Sequence, residues 1–304
     1  MVLFYRIKYI KNPNLNKIDE IATIRNQHLA IYSLLILQDG RLATGSDDFP
    51  IKIFNLENLE CEQTLKGHMD GIICLAQLEN GKLVSCSKDE TIKIWQIMPF
   101  SSFCEVTIKV NVITKLISLK GNRIAICYKK KLNLINGNYP YNTIHDKNEQ
   151  AQIESILQLE KTGKLVYCLA NDEIHIVNLQ NYQKESILLV MNHCSYPNGL
   201  LELKNGNIII GGNNQLYQIH RFSLRVIREF THDKLNHVFS MVQLNFRNVI
   251  IGCKDFICSF DIYTNNINVI VEKIHNSNIF CLIELIDNVI VTGSKDTVIK
   301  LLEF

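Results

Sequence analysis

Three residues in the first third of the chain have the side chains that nucleophilic catalysis requires. His68, Ser87 and Asp89 supply an imidazole, a hydroxyl and a carboxylate, the groups that combine in Ser-His-Asp hydrolases. Catalysis would need the hydroxyl within hydrogen-bonding distance of the imidazole, and a carboxylate that orients the ring. Whether these residues are catalytic or structural therefore depends on the strands and turns that carry them.

The ten cysteines raise the question of a metal or redox site, and Cys253 with Cys258 is the nearest pair. No Cys-x-x-Cys spacing occurs, so a zinc site is not indicated. Cys86, Cys127 and Cys168 instead recur at steps of 41 residues, which is typical of small buried residues in a repeated strand. We expect free thiols, no metal site and no cofactor.

Other common catalytic motifs are missing. Gly211-Gly212 is not followed by a helical pattern, as a Walker or Rossmann phosphate loop would be. Carboxylates such as Asp47 and Asp48 would need a facing partner from another part of the fold to act in acid–base catalysis. The sequence therefore predicts no enzymatic activity and no small-molecule substrate.

The composition narrows the class of protein further. Hydrophobic residues make up 47% and charged residues 20% of the 304 residues, which is enough apolar material for a well-buried core. The formal charge of +2 gives no basic footprint for nucleic acid, and no apolar stretch is long enough to insert into a membrane. Residues 1–11 contain three basic residues and lack a cleavage site for secretion. We expect a soluble, cytoplasmic protein, with the nucleus, cytoskeleton and cilium as alternatives.

A repeat of about 41 residues organises the whole chain. Seven strand-like segments end in a leucine, at steps of 41, 41, 40, 44, 41 and 41 residues: Leu37, Leu78, Leu119, Leu159, Leu203, Leu244 and Leu285. Turn residues such as Asp39-Gly40 follow each leucine, and a β-branched strand follows each turn. A third strand alternates polar and apolar residues, as in Thr91–Trp95, and a fourth fills each unit. Seven units of four strands predict an all-β fold, a seven-bladed β-propeller.

At these positions the sequence resembles the WD-repeat family. The second unit carries the pattern best, with Gly67-His68, Ser87-x-Asp89 and Trp95, and fragments recur around His28, His232 and His275. The Trp-Asp dipeptide itself is absent, because Gln96 follows Trp95. The resemblance implies that His68, Ser87, Asp89 and Trp95 form a structural hydrogen-bond network within one blade, which argues against a catalytic triad.

The repeat phase also divides the chain into an extension and one domain. The last unit ends after its third strand and lacks a fourth, and residues 20–25 have the phase of a fourth strand. We expect these residues to complete the last blade, so that residues 20–304 form a single propeller. Residues 1–19 are then an N-terminal extension, either an edge strand or a partner-binding arm.

In WD-repeat proteins the start of each first strand and the residue before the hairpin Asp line the wider mouth of the central channel. The resemblance therefore implies a binding rim formed by residues at these positions: Tyr32, Asp47, Ile73, Lys88, His237, Phe239, Lys254, Phe280 and Lys295. Its aromatic and basic residues would suit an acidic or phosphorylated peptide. The alternative is that the lysines are ordinary solvated turn residues and the aromatic rings pack on neighbouring loops.

The sequence thus predicts a non-enzymatic scaffold or architectural subunit that binds protein partners within a larger assembly. A substrate receptor of a ubiquitin ligase is an alternative, although Trp95-Gln96-Ile97-Met98 does not match the Trp-Asp-x-Arg pattern of some adaptors. A channel enzyme is a further alternative, for which Glu154, His237 and Asp47 are the candidate titratable residues.

Overall fold

The structure, a computed structural model, describes residues 19–25, 29–136, 143–149, 151–171, 173–189, 199–221, 223, 225–233, 235, 237–254, 256–286 and 288–304. These residues contain 28 β-strands, and the chain order of the strands follows the repeat. The strands form seven separate antiparallel sheets of four strands each, which are the blades.

Six blades are built from four consecutive strands. Blade 1 contains β2 (Ile31–Ile36), β3 (Leu42–Ser46), β4 (Ile51–Phe54) and β5 (Cys61–Leu65). Blade 2 contains β6 (Ile72–Gln77), β7 (Leu83–Ser87), β8 (Thr91–Gln96) and β9 (Phe103–Lys109). Blade 3 contains β10 (Lys115–Leu119), β11 (Arg123–Tyr128), β12 (Lys131–Asn136) and β13 (Thr143–Asn148).

The later blades follow the same order. Blade 4 contains β14 (Ile153–Gln158), β15 (Leu165–Leu169), β16 (Glu173–Val177) and β17 (Lys184–Leu189). Blade 5 contains β18 (Gly199–Glu202), β19 (Ile208–Gly211), β20 (Gln215–Ile219) and β21 (Val226–Thr231). Blade 6 contains β22 (Ser240–Gln243), β23 (Asn248–Gly252), β24 (Phe256–Asp261) and β25 (Ile267–Glu272).

Blade 7 joins the two ends of the chain. Its first three strands are β26 (Ile279–Ile286), β27 (Val289–Ser294) and β28 (Ile299–Glu303), and its fourth is β1 (Asp19–Ile24). β1 pairs antiparallel with β28, and Lys300 Nζ donates to Glu20 Oε2 at 2.8 Å. The predicted closure of the ring by residues 20–25 is confirmed. The structure describes no part of residues 1–18, on which the predicted extension falls.

The first strands of consecutive blades contact one another around the ring, from β2 through β6, β10, β14, β18, β22 and β26 back to β2. The core fills the spaces between neighbouring blades, where strand residues from both sides are buried together. Six of the seven repeated leucines are buried at these contacts. The seven-bladed propeller predicted from the repeat is therefore the fold of the chain.

Small residues at one position of each second strand make this close packing feasible. Cys86, Cys127 and Cys168 are fully buried at this position, where blades 1 and 7 have Gly45 and Gly293. A Cβ atom at Gly45 would lie 2.7 Å from Ile72 Cγ2 of the next blade. The nine cysteines in the described part of the chain are all free thiols, and those on the second strands are packing residues.

The turns between second and third strands lie at the same end of the blades as the connections between blades. Backbone hydrogen bonds join the two sets, as from Asp47 N to Ala30 O and from Lys88 N to Gly71 O. We call this end the upper face, and the end with the remaining turns the lower face.

Among the described residues, no helix has the length and apolar character to cross a membrane.

Candidate functional site

An aromatic row crosses three consecutive blades on the upper face. Its members are the side chains of His237 and Phe239 (blade 6), Phe280 (blade 7) and Tyr32 (blade 1). The ring centroids of Phe239 and Phe280 are 5.4 Å apart and edge-on, and those of Phe280 and Tyr32 are 5.2 Å apart. His237 stacks on Phe239 at 6.2 Å. Separations of 4.5–7 Å are those of favourable aromatic pairs, so the row is one continuous surface.

The position of these residues in the repeat explains why the rings meet. Phe239 directly precedes β22, and Phe280 and Tyr32 are the second residues of β26 and β2, the innermost strands of their blades. Because these strands are neighbours around the ring, side chains at the same level point toward one another. The three residues are partly exposed.

Tyr32 links the aromatic row to a charged pair that bridges blades 1 and 2. Its hydroxyl donates to Asp47 Oδ2 at 2.9 Å, and the Lys88 ammonium lies 2.6 Å from Asp47 Oδ1. The same ammonium lies 4.8 Å from the centre of the Tyr32 ring, within cation–π range. Gly71 leaves room for this group, because a Cβ atom at Gly71 would overlap the Asp47 carboxylate.

The electrostatics of this group follow from its contacts. Burial raises the pKa of Tyr32, and the hydrogen bond to the Asp47 carboxylate raises it further. Burial alone would lower the pKa of Lys88, but the hydrogen bond to Asp47 and the phenol of Tyr32 outweigh it and raise the pKa. Lys88 therefore stays charged and its charge is compensated by Asp47, so it adds little net positive charge to the rim.

Two other lysines supply the positive charge of this sector. Lys254 in the β23–β24 turn and Lys295 in the β27–β28 turn are exposed, and in the described part of the chain neither ammonium has an ion-pair partner. Both belong to the blades that carry Phe239 and Phe280. Contacts therefore join six of the nine predicted rim residues: Tyr32, Asp47, Lys88, His237, Phe239 and Phe280. Lys254 and Lys295 lie in upper-face turns of blades 6 and 7.

Ile73, the remaining predicted rim residue, is the second residue of β6, as Tyr32 is of β2. It is partly exposed and packs against the buried cluster between blades 2 and 3. The candidate channel residues are also dispersed. In the described part of the chain no hydrogen bond joins Glu154, His237 and Asp47 to one another, although burial raises the pKa of Glu154 against the opposing effect of Lys115.

The structural network of blade 2 contains a serine other than the one predicted. His68 Nδ1 lies 2.8 Å from Asp89 Oδ2 and His68 Nε2 lies 2.7 Å from Ser85 Oγ, to which Trp95 Nε1 donates at 2.8 Å. Ser87 instead donates to Asp70 O and accepts from the Asp89 amide, so it shapes the turn. Ser87, two residues further along the strand, is therefore hydrogen-bonded to neither ring.

A neutral His68 protonated on Nδ1 would satisfy this network. Trp95 donates to Ser85, Ser85 would donate to His68 Nε2, and the ring would donate to Asp89. Burial lowers the pKa of His68 more than Asp89 raises it, which favours the neutral ring. His68 and Ser85 are buried, so the group holds the blade together and exposes no nucleophile to solvent.

Blades 4 and 7 use variants of the network. In blade 7, His275 Nδ1 lies 3.0 Å from Asp296 Oδ2 and His275 Nε2 lies 2.7 Å from Thr292 Oγ1, while Leu302 replaces the indole. In blade 4, Tyr167 donates to Glu149 Oε1 at 2.5 Å and contacts His175 Nδ1 at 3.1 Å. His28, the residue that the sequence places at the corresponding position before blade 1, lies outside the described residues.

The described residues hold no group of three or more His, Cys, Asp or Glu side chains placed to bind a metal ion.

In comparisons with known proteins, the family model of the WD domain, G-beta repeat, matches residues 59–96. This segment runs from the end of blade 1 to the end of β8 and contains the whole blade-2 network. No curated protein matches the chain.

Proposed function

We propose that this chain, a seven-bladed propeller of the WD-repeat type, binds a segment of a protein partner along the aromatic row. The match to the WD repeat supports an interaction role in general, because propellers of this family commonly bind other proteins. The observation that carries the proposal is the continuous contact of His237, Phe239, Phe280 and Tyr32 across blades 6, 7 and 1.

Partly exposed aromatic rings are well suited to anchor a partner. They bury a large apolar area at a small cost in side-chain entropy, and aromatic residues dominate the energetics of protein interfaces. The rings of the row already pack against one another, so less ordering is needed on binding. The uncompensated ammonium groups of Lys254 and Lys295, in upper-face turns of the blades that carry Phe239 and Phe280, favour a partner segment with acidic or phosphorylated residues.

We propose an architectural rather than catalytic role. Asp47 is bonded to Lys88 and Tyr32, and the imidazole of His68 lies in a buried network. By binding this segment, the propeller would hold the partner within a larger assembly. We propose that it acts in the cytoplasm.

The test compares two double variants in affinity capture from native extract. In the rim variant, Phe239→Ala and Phe280→Ala remove two rings of the row. In the matched control, Phe246→Ala and Tyr263→Ala remove two rings that are 67% and 69% exposed in lower-face turns. Circular dichroism and thermal unfolding must first show that both variants are folded.

A partner captured by wild type and the control, and reduced by about tenfold or more with the rim variant, would support the proposal. The partner would then be purified and titrated against Lys254→Glu with Lys295→Glu, which we expect to weaken binding and its dependence on salt. Equal capture by folded rim variant and wild type would contradict binding at the aromatic row.

A further inference from the structure

A second candidate ligand site lies on the upper face where blades 2 and 3 meet. Two adjoining hollows of about 410 and 460 Å³ open there. One wall is Lys109 at the end of β9, and the other is the β11–β12 hairpin with Lys129, Lys130 and Lys131. We call this space the lysine cleft. Lys131 lines both hollows, which makes them parts of one site.

The charge of the lysine cleft is not compensated within the described structure. All four lysines are exposed, and among the described residues none of their ammonium groups has an ion-pair partner. The described residues that line the hollows include no acidic side chain. By contrast, Lys88 is paired with Asp47. Four positive charges are thus concentrated in a protein whose formal net charge is +2.

The backbone holds the hairpin lysines in place. Tyr128 pairs with Lys131, so that Lys129 and Lys130 form a two-residue turn. Both turn carbonyls are bonded to the connection leading into blade 4, with Glu149 N to Lys130 O and Ile153 N to Lys129 O both at 2.6 Å. The wall of the cleft is therefore tied to a neighbouring blade, which reduces the ordering needed when a ligand binds.

The shape and lining indicate the chemical class of the ligand. Cavities of a few hundred Å³ match small ligands or single modified side chains rather than an extended nucleic acid. Lysine ammonium groups bind phosphate as point charges, and a phosphomonoester carries nearly two negative charges at neutral pH. Tyr128, which is 8% exposed, and Val112, which is 44% exposed, add apolar surface to the lining of the cleft.

We propose that the lysine cleft binds a phosphomonoester group, carried either by a phosphorylated protein segment or by a soluble phosphorylated molecule. This site is separate from the proposed partner surface, because the aromatic row with Lys254 and Lys295 belongs to blades 6, 7 and 1. A ligand can therefore occupy the cleft whether or not the aromatic row binds a partner.

The experiment measures binding to the full chain by fluorescence anisotropy. The probe is a labelled peptide with two phosphoserines, its control is the unphosphorylated peptide, and unlabelled pyrophosphate is the competitor. The cleft variant carries Lys109→Gln and Lys131→Gln, which removes one charge from each wall. The matched control carries Lys66→Gln and Lys273→Gln, two exposed lysines directly after the fourth strands of blades 1 and 6.

We expect the phosphopeptide to bind more tightly than its unphosphorylated form, and the cleft variant to weaken binding about tenfold. The matched control should stay within about twofold of wild type. Pyrophosphate binding is also measured directly by isothermal titration calorimetry. If pyrophosphate binds with the same dependence on Lys109 and Lys131 while the phosphopeptide does not, the cleft is a site for a soluble anion.

The proposal is overturned if wild type binds neither probe, or if the cleft variant and the matched control weaken binding equally. The rim variant, with Phe239→Ala and Phe280→Ala, separates the two proposals. The rim variant should bind the phosphate probes like wild type. A negative result at the lysine cleft therefore does not contradict partner binding at the aromatic row, and a negative capture result at the row does not contradict phosphate binding at the cleft.

Discussion

The Lys88 ammonium lies 2.6 Å from the Asp47 carboxylate, although the two residues are 41 positions apart and belong to adjacent blades. Each occupies the same place in its own blade, at the start of the turn between the second and third strands. The pair therefore bridges two consecutive blades on the upper face and also fixes the hydroxyl of Tyr32. Its effect on the rim is to replace two separate charges by a nearly neutral group.

We predict that Asp47→Asn will lower the pKa of Tyr32 toward its ordinary value. The Asp47 carboxylate raises this pKa through a hydrogen bond and its charge, in addition to burial, and the amide keeps only part of the hydrogen bonding. Titration of ¹³C-labelled tyrosine by NMR would measure the change. The stability should change by less than about 1 kcal/mol, because the pair is partly exposed. An unchanged Tyr32 titration would show that burial alone sets its pKa.

Ser85→Ala should destabilise the protein more than Ser87→Ala. Ser85 is the common partner of Trp95 Nε1 and His68 Nε2, both buried, so its loss leaves two polar groups unpaired and should cost about 2–4 kcal/mol. Ser87 is also buried, but it bonds two backbone groups, the carbonyl of the exposed Asp70 and the Asp89 amide, and leaves no buried ring nitrogen unpaired, so about 1 kcal/mol is expected. Urea unfolding followed by Trp95, the single tryptophan, measures both. Equal losses would contradict the central role of Ser85.

The stabilisation that the networks of blades 2 and 7 provide should be lost in acid. Burial alone would raise the pKa of Asp89, but hydrogen bonds from Thr91, the Met69 amide and His68 lower it to about 2. The pKa of Asp296 is lowered to about 2 in the same way, by His275 and two backbone amides. Because these pKa values lie below the ordinary value of 3.8, the stabilisation is present above pH 4 and is lost as the pH falls toward 2.

Urea unfolding at a series of pH values tests this expectation with Asp89→Asn. The variant should be less stable than wild type at neutral pH, and its stability should fall less steeply between pH 4 and 2. Glu57→Gln, which changes an exposed carboxyl in the β4–β5 turn, is the matched control and should keep the wild-type slope. Parallel slopes for wild type and Asp89→Asn would rule out the contribution of Asp89.

Tyr167→Phe should destabilise blade 4 by about 1–3 kcal/mol. The hydroxyl of Tyr167 donates to the Glu149 carboxylate, which is only 5% exposed, and contacts the buried His175. Removing it takes a partner from both groups at a site where water has little access. Tyr263→Phe, at a tyrosine that is 69% exposed, should leave the melting temperature unchanged. A similarly small effect at Tyr167 would mean that Glu149 and His175 sustain the cluster without it.

The repeat made the fold predictable because each blade keeps its apolar spacing even where its polar residues differ. Leu159 and Leu203 hold the phase through the most divergent stretch, and their burial depends only on being apolar at the right place. The network serine was misassigned for a related reason. Ser85 and Ser87 are both small, polar and on the same strand, and only the hydrogen-bond geometry separates the one that faces His68 and Trp95 from the one in the turn.

The lysine cleft and the Asp47–Lys88 pair could not be predicted from the sequence, because both depend on how neighbouring blades are placed. The hairpin of Lys129 and Lys130 lacks the Ser-x-Asp pattern and is one residue shorter than its counterpart at Lys88, so it could not be aligned with the other hairpins from the sequence. The repeat phase could have located this hairpin, because Lys129 lies two residues after Cys127, just as Lys88 lies two residues after Cys86. The pairing of Asp47 with Lys88 was not predictable, because side chains in separate blades meet only once the ring has formed.

The pairing of β1 with β28 has a consequence for how the protein is made. Glu20 and Lys300 are separated by 280 positions, yet they lie in one four-stranded sheet. During synthesis, β1 leaves the ribosome long before its partner and must wait unpaired while six blades are added. β28 follows the other strands of the propeller in chain order, so its pairing with β1 can close the ring only after the strands of all seven blades have been synthesised.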